Sequence, residues 1–325
     1  MYVIDARNVN EALGKGLLLL QAEGTYANSR NGSVLVAPTP VTTVYQHPAE
    51  RVLFCPLRDA NPFFHFMEGL WMLGGRNDVA WPKLFNSKFG SYSDDGTTLH
   101  GAYGFRWREF FNFDQLVRII HELRENKETR RAVLGMWSPV HDLGRNGADI
   151  PCNTHIYFRV REGCYLDMTV CCRSNDALWG AYGANAVHMS MLLEMMAAAT
   201  DLRIGVYYQV SNNLHLYTDV LPVDQIAGRV ISTLDHDEYT LRNLPLYPMV
   251  TARWERWNED LYEFLNAPEE PRLYNDPFFV HVATPMYRAW LAHKAHDNDS
   301  FSLASRIEAA DWNIACCNWL LRRKV

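Results

Sequence analysis

The stretch that decides the fold class is residues 154–176, THIYFRVREGCYLDMTVCCRSND. Its segments 154–160 and 165–172 are rich in β-branched and aromatic residues, which predicts two strands, and the run 132–137 predicts a third. The second of these strands leads into a dense polar cluster with Arg173, Ser174 and Asp176. Such a cluster at a strand end is a candidate functional edge, although an ordinary polar turn has the same composition.

Helical patterns surround these strands. Apolar periodicity predicts helices over 9–23, 61–73, 115–125 and 187–200, and further helices near 283–294 and 302–321. Strands are also predicted over 34–36, 41–45 and 204–210, a loop over 85–105, and the start of a helix over 215–221. Strands in mid-chain with helices around them predict one α+β domain over residues 1–325, with a mixed β-sheet core flanked by helices.

Composition excludes several classes of protein. Hydrophobic residues make up 48% of the 325 residues and charged residues 21%, as in globular proteins, and the net charge of -6 gives no overall basic field for nucleic acid. The odd count of seven cysteines and the charged N-terminus predict a reduced, cytoplasmic setting without a signal peptide. No membrane helix is expected, and no metal, because Cys171, Cys172 and His155 lack zinc-type spacing.

Cys152 lies in the segment D-I-P-C-N-T-H, residues 149–155, where a loop meets a predicted strand. Pro151 restricts the backbone before it, so the thiol could be held exposed as a nucleophile, and Arg173 would favour its thiolate form. Glu68 lies in an otherwise apolar helix, which suits a general acid or base with a raised pKa. A buried structural cysteine and a glutamate at an exposed helix edge are the alternatives.

Three further sites combine a functional and a structural interpretation. The pair Arg130-Arg131 could clamp a phosphate or lie on a solvated surface. His215 and Tyr217 are two residues apart, so they share a face of an extended chain and suit hydroxyl recognition, or they are ordinary core rings. Asn185 could recognise a base edge with one donor and one acceptor, or it could cap the helix that it begins.

Seven ordered segments resemble the thymidylate synthase and deoxynucleotide hydroxymethylase superfamily over about residues 14–220. They are G-T-Y-A-N-S-R-N-G-S with Arg30, H-F-M-E-G-L-W-M-L-G-G with Glu68, H-G-A-Y-G-F-R-W-R with Tyr103, T-R-R-A-V-L-G-M-W with Arg130 and Arg131, I-P-C with Cys152, R-S-N-D with Arg173, Ser174 and Asp176, and H-L-Y with His215 and Tyr217. The resemblance implies a thymidylate synthase-like fold in which one sheet face forms a homodimer interface. Residues 222–325 are divergent and helical.

The resemblance also implies a mechanism. Cys152 would add to C6 of a pyrimidine nucleotide, and C5 would then attack the methylene carbon of 5,10-methylenetetrahydrofolate. The implied catalytic residues are Cys152, Glu68, Tyr103 and Asp176. The implied nucleotide contacts are Arg30, Arg173, Ser174, Asn185, His215, Tyr217 and the partner subunit's Arg130 and Arg131. The implied folate contacts are Glu68, Trp81, Asp176, Trp179 and Gly180.

Departures from the family pattern bear on the reaction. Asn153 follows the nucleophile where histidine is usual, Cys172 replaces a glutamine, and Asn213 replaces an aspartate. The segment 181–185 is one residue longer than in the synthases, and the C-terminal N-W-L-L-R-R-K-V predicts a helix end where the synthases carry an apolar tail that closes over folate. A wetter pocket favours water over hydride at the last step, so we expect a phage-type hydroxymethylase rather than a thymidylate synthase.

The base expected at the site is uracil, because the amide of Asn185 suits its O4 and N3–H, whereas an aspartate would suit cytosine. A dCMP hydroxymethylase is the alternative. Two rivals lie outside this reaction class. Cys152, His215 and Asn213 have the residue types and chain order of a Cys-His-Asn hydrolase, which leaves the arginines unexplained. A silent nucleotide-binding protein would not need Cys152 and Glu68 together.

Overall fold

Two β-sheets organise residues 1–270 and 273–323, the part of the chain that the computed structural model describes. The strands in these ranges are β1 Tyr2–Ala6, β2 Thr25–Ser29, β3 Gly32–Val36, β4 Val41–Tyr45, β5 Val133–Gly135, β6 Asn153–Arg161, β7 Tyr165–Cys172, β8 Asn175–Asp176, β9 Arg203–Ser211 and β10 Leu214–Tyr217. The larger sheet has the order β1-β4-β9-β7-β6-β5 and the smaller has the order β2-β3-β10-β8. Both sheets mix parallel and antiparallel pairs, which confirms the predicted mixed sheet.

Helices cover the sheets. The α-helices in the described ranges are α1 Val9–Glu23, α2 Pro62–Leu73, α3 Ala80–Phe85, α4 Tyr103–Arg108, α5 Gln115–Glu125, α6 Pro139–Asp142, α7 Asn185–Ala199, α8 Ile226–Asp235, α9 Glu238–Arg242, α10 Trp254–Asn266, α11 Thr284–Lys294, α12 Ser300–Ala304 and α13 Ala310–Leu321. A π-helical segment, Ala177–Ala184, leads into α7. The α+β class is therefore confirmed.

Local sequence explains where the helices that flank the site begin. Asn61 precedes α2 and its side chain accepts a hydrogen bond from the backbone N–H of Phe64, while Pro62 takes the first helical position, where no N–H is needed. Asn8 caps α1 in the same way. Helix α7 is apolar nearly all round and is buried, so it runs through the core beside α2 rather than along the surface.

The two ends of the β6–β7 hairpin differ: a tight turn joins the strands at one end, and the pairing is irregular at the other. The pairing of β6 with β7 shifts register between Asn153 and His155, directly after Cys152. A bulge of this kind bends a strand and redirects its side chains. At the other end Glu162 and Gly163 adopt positive φ angles of 54° and 68°, which close the turn. The irregular end of the hairpin is therefore the end that bears the candidate nucleophile.

Several sequence predictions need correction. The segment predicted to open a helix over 215–221 begins as strand β10 instead, because the backbone up to Tyr217 pairs with β3 on one side and β8 on the other, and a turn follows. The predicted loop over 85–105 contains the 3₁₀-helix Ser87–Tyr92 and the start of α4. Strand β1 was not predicted. Of the C-terminal segment N-W-L-L-R-R-K-V, Lys324 and Val325 lie outside the described residues.

Candidate active site

Cys152 stands just before β6, where its backbone is fixed from two sides. Its carbonyl accepts a hydrogen bond from the backbone N–H of Arg173 at 2.8 Å, and its own N–H donates to the hydroxyl oxygen of Tyr103 at 3.1 Å. The same hydroxyl accepts the N–H of Asn153 at 3.2 Å. Because the Tyr103 oxygen accepts two backbone hydrogen bonds, its proton is available to a third partner.

The thiol of Cys152 opens into a cleft of about 810 Å³. The predicted site residues that line this cleft are Arg30, Cys152, Arg173, Ser174, Asp176, His215 and Tyr217. Strands β8 and β10 of the smaller sheet contribute three of these side chains, and the segments beside the ends of β2, β6 and β7 contribute the others. Residues that are far apart in the sequence, from the β2–β3 turn to β10, are thereby brought together around one thiol.

Two arginines of the cleft are anchored by backbone carbonyls. The Arg173 guanidinium donates to the carbonyls of Pro151 at 2.9 Å and Ile150 at 3.1 Å. Arg30, at the β2–β3 turn, donates to the carbonyls of Gly147 and Ala148, each at 3.3 Å. These bonds use only part of the five guanidinium N–H groups, so both arginines keep donors for an anion.

These arginines also act on the thiol. Burial raises the pKa of Cys152 above its ordinary value, and the positive charges of Arg173 and Arg30 oppose that rise, while Asp149 adds to it. In the free protein the thiol form is therefore favoured. When a bound ligand places an electrophilic carbon next to the sulfur, the small fraction of Cys152 that is ionised would be the form that reacts.

His215 and Tyr217 project from β10 on the same face of the strand, and their rings meet edge to face with centroids 5.2 Å apart. The Nδ1 of His215 lies 2.9 Å from Oδ1 of Asn213, which fixes the ring. Both rings line the cleft. The strand that was predicted as a helix start thus presents this pair in the extended geometry that the two-residue spacing predicts.

A second cavity, of about 220 Å³, has Tyr103 in its wall. Glu68 from α2 and Asn185 from α7 line it as well. Oε2 of Glu68 is buried without a hydrogen bond in the described part of the chain. Burial raises the pKa of Glu68 to about 8, so the side chain is largely a neutral acid at neutral pH.

A chain of buried side-chain hydrogen bonds holds Asn185. The thiol of Cys172 donates to Oδ1 of Asn153 at 2.6 Å, and Nδ2 of Asn153 donates to Oδ1 of Asn185 at 3.1 Å. Nδ2 of Asn185 then donates to Oδ1 of Asn175 at 3.0 Å, and Nδ2 of Asn175 donates to Oε1 of Gln209 at 2.9 Å. Each group fixes the next, so the Asn185 amide has one orientation, with one N–H and one oxygen lone pair left over.

The segment after β8 places the other expected folate contacts. Oδ1 of Asp176 accepts the backbone N–H of Trp179 at 2.6 Å, its Oδ2 is buried and without a partner among the described residues, and burial raises its pKa. Trp179 is 51% exposed, and neither it nor Gly180 lines either of the two cavities. Gly180 lies so close to Asn175 that a Cβ on it would stand 2.5 Å from the amide oxygen, so glycine is required there.

Three expected residues lie elsewhere. Trp81 is 4% exposed, stacks on Tyr287 and donates to the carbonyl of Met67, so packing fixes it in the core and it lines neither cavity. This placement corrects the expectation of a folate contact. Arg130 and Arg131 precede β5 and do not line the cleft; Arg131 pairs with Glu122 at 2.8 Å, with its side chain 80% exposed. Their expected role at a partner subunit's site remains a prediction.

Sequence reasoning missed two features of the site. Asn153 and Cys172 appeared only as departures from a pattern, yet they face each other across the β6–β7 hairpin and form one hydrogen bond. His188 was overlooked, although it lines the second cavity. The available signal was its spacing: three residues after Asn185 on a predicted buried helix places both side chains on one face.

Comparison with known proteins agrees with this geometry. The family model described as thymidylate synthase matches residues 22–257. The chain belongs to the thymidylate synthase family. The resemblance that seven sequence segments predicted is thereby confirmed, and with it the expected fold class.

Three relatives of the chain are phage proteins that share one name. A deoxyuridylate hydroxymethyltransferase of Pseudomonas phage M6 is 48% identical over all of this chain and 95% of the relative. Proteins of the same name from Bacillus phage SP01 and Delftia phage PhiW-14 are 37% and 30% identical, over 55% and 66% of this chain and 50% and 62% of the relatives. The predicted phage-type hydroxymethylase branch of the family is confirmed by these similarities.

Two kinds of feature are absent from the described residues. No group of three or more His, Cys, Asp or Glu side chains suited to a metal ion occurs in residues 1–270 and 273–323. Within the same ranges, none of the helices combines the length and the apolar character that crossing a membrane requires.

Proposed function

We propose that this chain hydroxymethylates dUMP at C5, with 5,10-methylenetetrahydrofolate as the one-carbon donor, to give 5-hydroxymethyl-dUMP. The observation that carries the proposal is the link between cleft and cavity. The Cys152 thiol stands in the arginine-bearing cleft, and Tyr103 joins its backbone to the cavity of Glu68 and Asn185. The names of the phage relatives support deoxyuridylate as the nucleotide and hydroxymethyl transfer as the reaction.

The residues of the cleft suggest one orientation for a bound nucleotide, with its phosphate at the arginines and its base at Cys152. Arg30 and Arg173 would bind the phosphate with the guanidinium N–H groups that the backbone carbonyls leave free, and Ser174 would add a hydroxyl. His215 and Tyr217 would meet the deoxyribose hydroxyl. The pyrimidine ring would then lie between the Cys152 thiol and the Asn185 amide.

Cys152 would act as the covalent catalyst. Its thiolate adds to C6, and the electrons of the C5–C6 double bond move through C4 onto O4, so that C5 becomes nucleophilic when the enolate returns. Arg173 and Arg30 favour the thiolate against the effect of burial. The Tyr103 hydroxyl, with two backbone N–H groups already bound, would offer its proton to the reacting ring or its water.

Asn185 would select uracil over cytosine. Its free N–H matches the acceptor O4 of uracil and its free oxygen lone pair matches the donor N3–H. Cytosine presents the opposite pair, so its recognition would require the amide to rotate by half a turn. That rotation would break the hydrogen bonds with Asn153 and Asn175, each worth about 1 kcal/mol and more where a buried group is left unpaired.

The second cavity fits a flat, partly polar co-substrate beside the base. Its walls include Trp71, Phe89, Tyr92 and Leu99, and the unpartnered carboxyl of Glu68 offers a polar contact within them. Methylenetetrahydrofolate, when bound, supplies the one-carbon unit. Glu68, Asp176, Trp179 and Gly180 are the residues that we propose face it, with Trp81 excluded by its burial.

The partner's phosphate site would receive the remaining arginines. Arg130 and Arg131 are exposed and lie outside the cleft of their own subunit. We propose that they complete the cleft of a second copy in a homodimer, so that each site draws on two chains.

The test is a product analysis with two nucleotides. The protein is incubated with methylenetetrahydrofolate and either dUMP or dCMP, the absorbance of dihydrofolate is followed, and the nucleotide product is weighed by mass spectrometry. We expect dUMP to gain one CH₂O unit while no dihydrofolate forms. A methylated product with dihydrofolate would establish a thymidylate synthase instead, and a hydroxymethyl product from dCMP would contradict the role of Asn185. Nucleotide binding without release of the C5 hydrogen would indicate a silent homologue.

A further inference from the structure

A buried histidine shares the cavity of Glu68 and has no place in the mechanism so far. His188 lies on α7 three residues after Asn185, so both side chains project from one face of the helix into the cavity. Its side chain is 4% exposed, and α7 is otherwise mostly apolar. Burying an imidazole in such surroundings is unfavourable unless its nitrogens find polar partners.

One nitrogen of the ring has a defined partner. Nε2 of His188 lies 3.0 Å from the carbonyl oxygen of His65, and since a carbonyl only accepts, Nε2 must carry the hydrogen. The same Nε2 lies 3.4 Å from Oε2 of Glu68. Burial lowers the pKa of His188 to about 4, so the ring is neutral at neutral pH and this contact is not an ion pair.

The other nitrogen is left as an acceptor. A neutral imidazole with its hydrogen on Nε2 has a lone pair on Nδ1, and the hydrogen bond that the described ranges of the chain give to this ring is the one from Nε2. Oε2 of Glu68 has no hydrogen bond in the same ranges. His188 and the Glu68 carboxyl both belong to the wall of one partly aromatic cavity, so a water held between them would find hydrogen-bond partners, of which an ordered buried water needs two to four.

Resting on the proposed hydroxymethylation, we propose that His188 positions the water that adds to the methylene carbon on C5. The water oxygen bonds to that carbon while the pair of the exocyclic C=C bond moves through C5 and C4 onto O4. The proton of the water passes to the Glu68 carboxylate, which has earlier given its own proton to the departing tetrahydrofolate. The enolate then returns and expels the Cys152 thiolate from C6, which restores the C5–C6 double bond. Nothing is oxidised or reduced.

The position of His188 fits this step. Asn185 would bind O4 and N3–H, and C5 is the ring atom next to C4. A residue one helical turn from Asn185, beside Glu68, therefore faces the side of the ring on which the methylene stands. A neutral acceptor there orients a water without adding a charge that the cavity would have to bury.

The experiment separates formation of the methylene from its capture by water. With dUMP tritiated at C5, tritium release reports methylene formation, and mass spectrometry reports 5-hydroxymethyl-dUMP, in the presence of a small thiol that traps uncaptured methylene. In His188→Phe we expect tritium release within about threefold of wild type, at least a tenfold loss of hydroxymethyl product and a rise in thiol adduct; tenfold corresponds to about 1.4 kcal/mol on the water-addition barrier.

Controls make the outcomes decisive. Ser190→Ala removes a buried hydroxyl of the same helix whose partner is the carbonyl of Val187, and it should change neither readout. Equal losses of tritium release and product in His188→Phe, or no change in either, would overturn the proposal. If that variant does not fold, His188→Asn, whose oxygen stands near the Nδ1 position, should keep more product per tritium released than His188→Gln. Equal ratios in the two would also overturn it. Failure of the proposed function itself would be visible in the wild type, as tritium release without any hydroxymethyl product.

Discussion

At the scale of single residues, the surroundings of Cys152 have opposite effects on the ionisation of its thiol. Burial disfavours its thiolate, while Arg173 and Arg30 favour it. The backbone around it is fixed by Tyr103 and by the N–H of Arg173. The sulfur is therefore positioned before substrate binds, but it is mainly protonated in the free protein, and we expect it to ionise when a substrate is present.

Removing that sulfur tests the covalent step. We expect Cys152→Ser to reduce hydroxymethyl product by more than about 10³-fold, because a hydroxyl is a far weaker nucleophile, while calorimetric binding of dUMP changes little. Cys164→Ser, which alters a thiol at the β6–β7 turn outside the cleft, should keep near wild-type activity. Turnover by Cys152→Ser comparable to that control would rule out the nucleophile.

The ionisation of Glu68 should affect the stability of the protein as well as its reaction rate. Its pKa is about 8 in the folded protein and 4.5 in an exposed glutamate. Below pH 4.5 the Glu68 carboxyl is protonated in both the folded and the unfolded state. Between pH 4.5 and 8 it is protonated only in the folded state, so the free energy of unfolding falls as pH rises. Above pH 8 it is ionised in both states, and the free energy of unfolding falls no further. The scale is about 1.4 kcal/mol for each unit between the two pKa values.

Glu68→Gln removes this pH-dependent loss. We therefore expect its thermal midpoint, relative to wild type, to rise by several degrees between pH 5 and pH 9, as measured by scanning calorimetry. Glu128→Gln changes an exposed glutamate outside the cavity and is the matched control. A midpoint difference that stays constant with pH would contradict the buried acid.

The residues of the site were predictable to different degrees. Short local motifs located Cys152 and Arg173 in the same cleft, because each motif includes the turn or strand end that presents its side chain. Trp81 could not be placed, since its neighbour Tyr287 is about two hundred positions away in the sequence. His188 lay within a segment correctly predicted as a buried helix, but only the packing of α2 against α7 brings it to Glu68.

At the scale of elements, α4 depends on a close approach to α2. A Cβ on Gly104 would stand 1.9 Å from the backbone oxygen of Met72. Since a backbone atom cannot move aside cheaply, α4 would have to shift, and Tyr103 with it. The two backbone hydrogen bonds that Tyr103 accepts beside Cys152 depend on this one glycine.

Gly104→Ala should therefore weaken both fold and site. We expect a loss of at least about 2 kcal/mol in the free energy of unfolding by denaturant titration, with a lower rate of product formation. Gly228→Ala, in α8, meets nothing within 4 Å and should change stability by no more than about 1 kcal/mol. Similar behaviour of the two variants would mean that α4 adapts without moving Tyr103.

Elements with a strong internal pattern were predicted well, and elements made by pairing were not. The bounds of α1, α5 and β7 agree with their predicted ranges, because periodicity and caps lie within each segment. Strand β10 was assigned to a helix because its four residues carry no decisive signal of their own. Its backbone is extended because β3 and β8 flank it, and both are distant in the sequence.

At the scale of the whole molecule, one core extends from Ile4 to Leu320. This continuity supports the proposal that residues 1–325 form a single domain, which the sequence predicted from strands in mid-chain with helices around them. The homodimer is a separate proposal. It assigns Arg130 and Arg131 to the site of the second copy. If this is correct, two different inactive variants can form an active dimer, which is not possible for a monomeric enzyme.

Two inactive variants should restore each other. Mixed dimers of Cys152→Ser with an Arg130→Ala, Arg131→Ala double variant would contain one complete site each, so random pairing in an equal mixture should recover about a quarter of wild-type activity. Mixing Cys152→Ser with His215→Ala should recover none, since Cys152 and His215 line the same cleft of one chain. The absence of recovery in the first mixture would refute the shared site.

The face of α2 that bears Phe63 and Phe66 limits which amino-acid substitutions this protein can accept. Phe63 packs on Trp290 and Trp319, and Phe66 packs edge to face on Trp312 at 5.1 Å, so helices beyond residue 257, where the family match ends, cover the helix that holds Glu68. Substitutions on either side of this contact would therefore need compensation on the other. Among descendants of this sequence, positions 63 and 66 should covary with 290, 312 and 319, and lineages that lose the C-terminal helices should replace the two phenylalanines with polar residues.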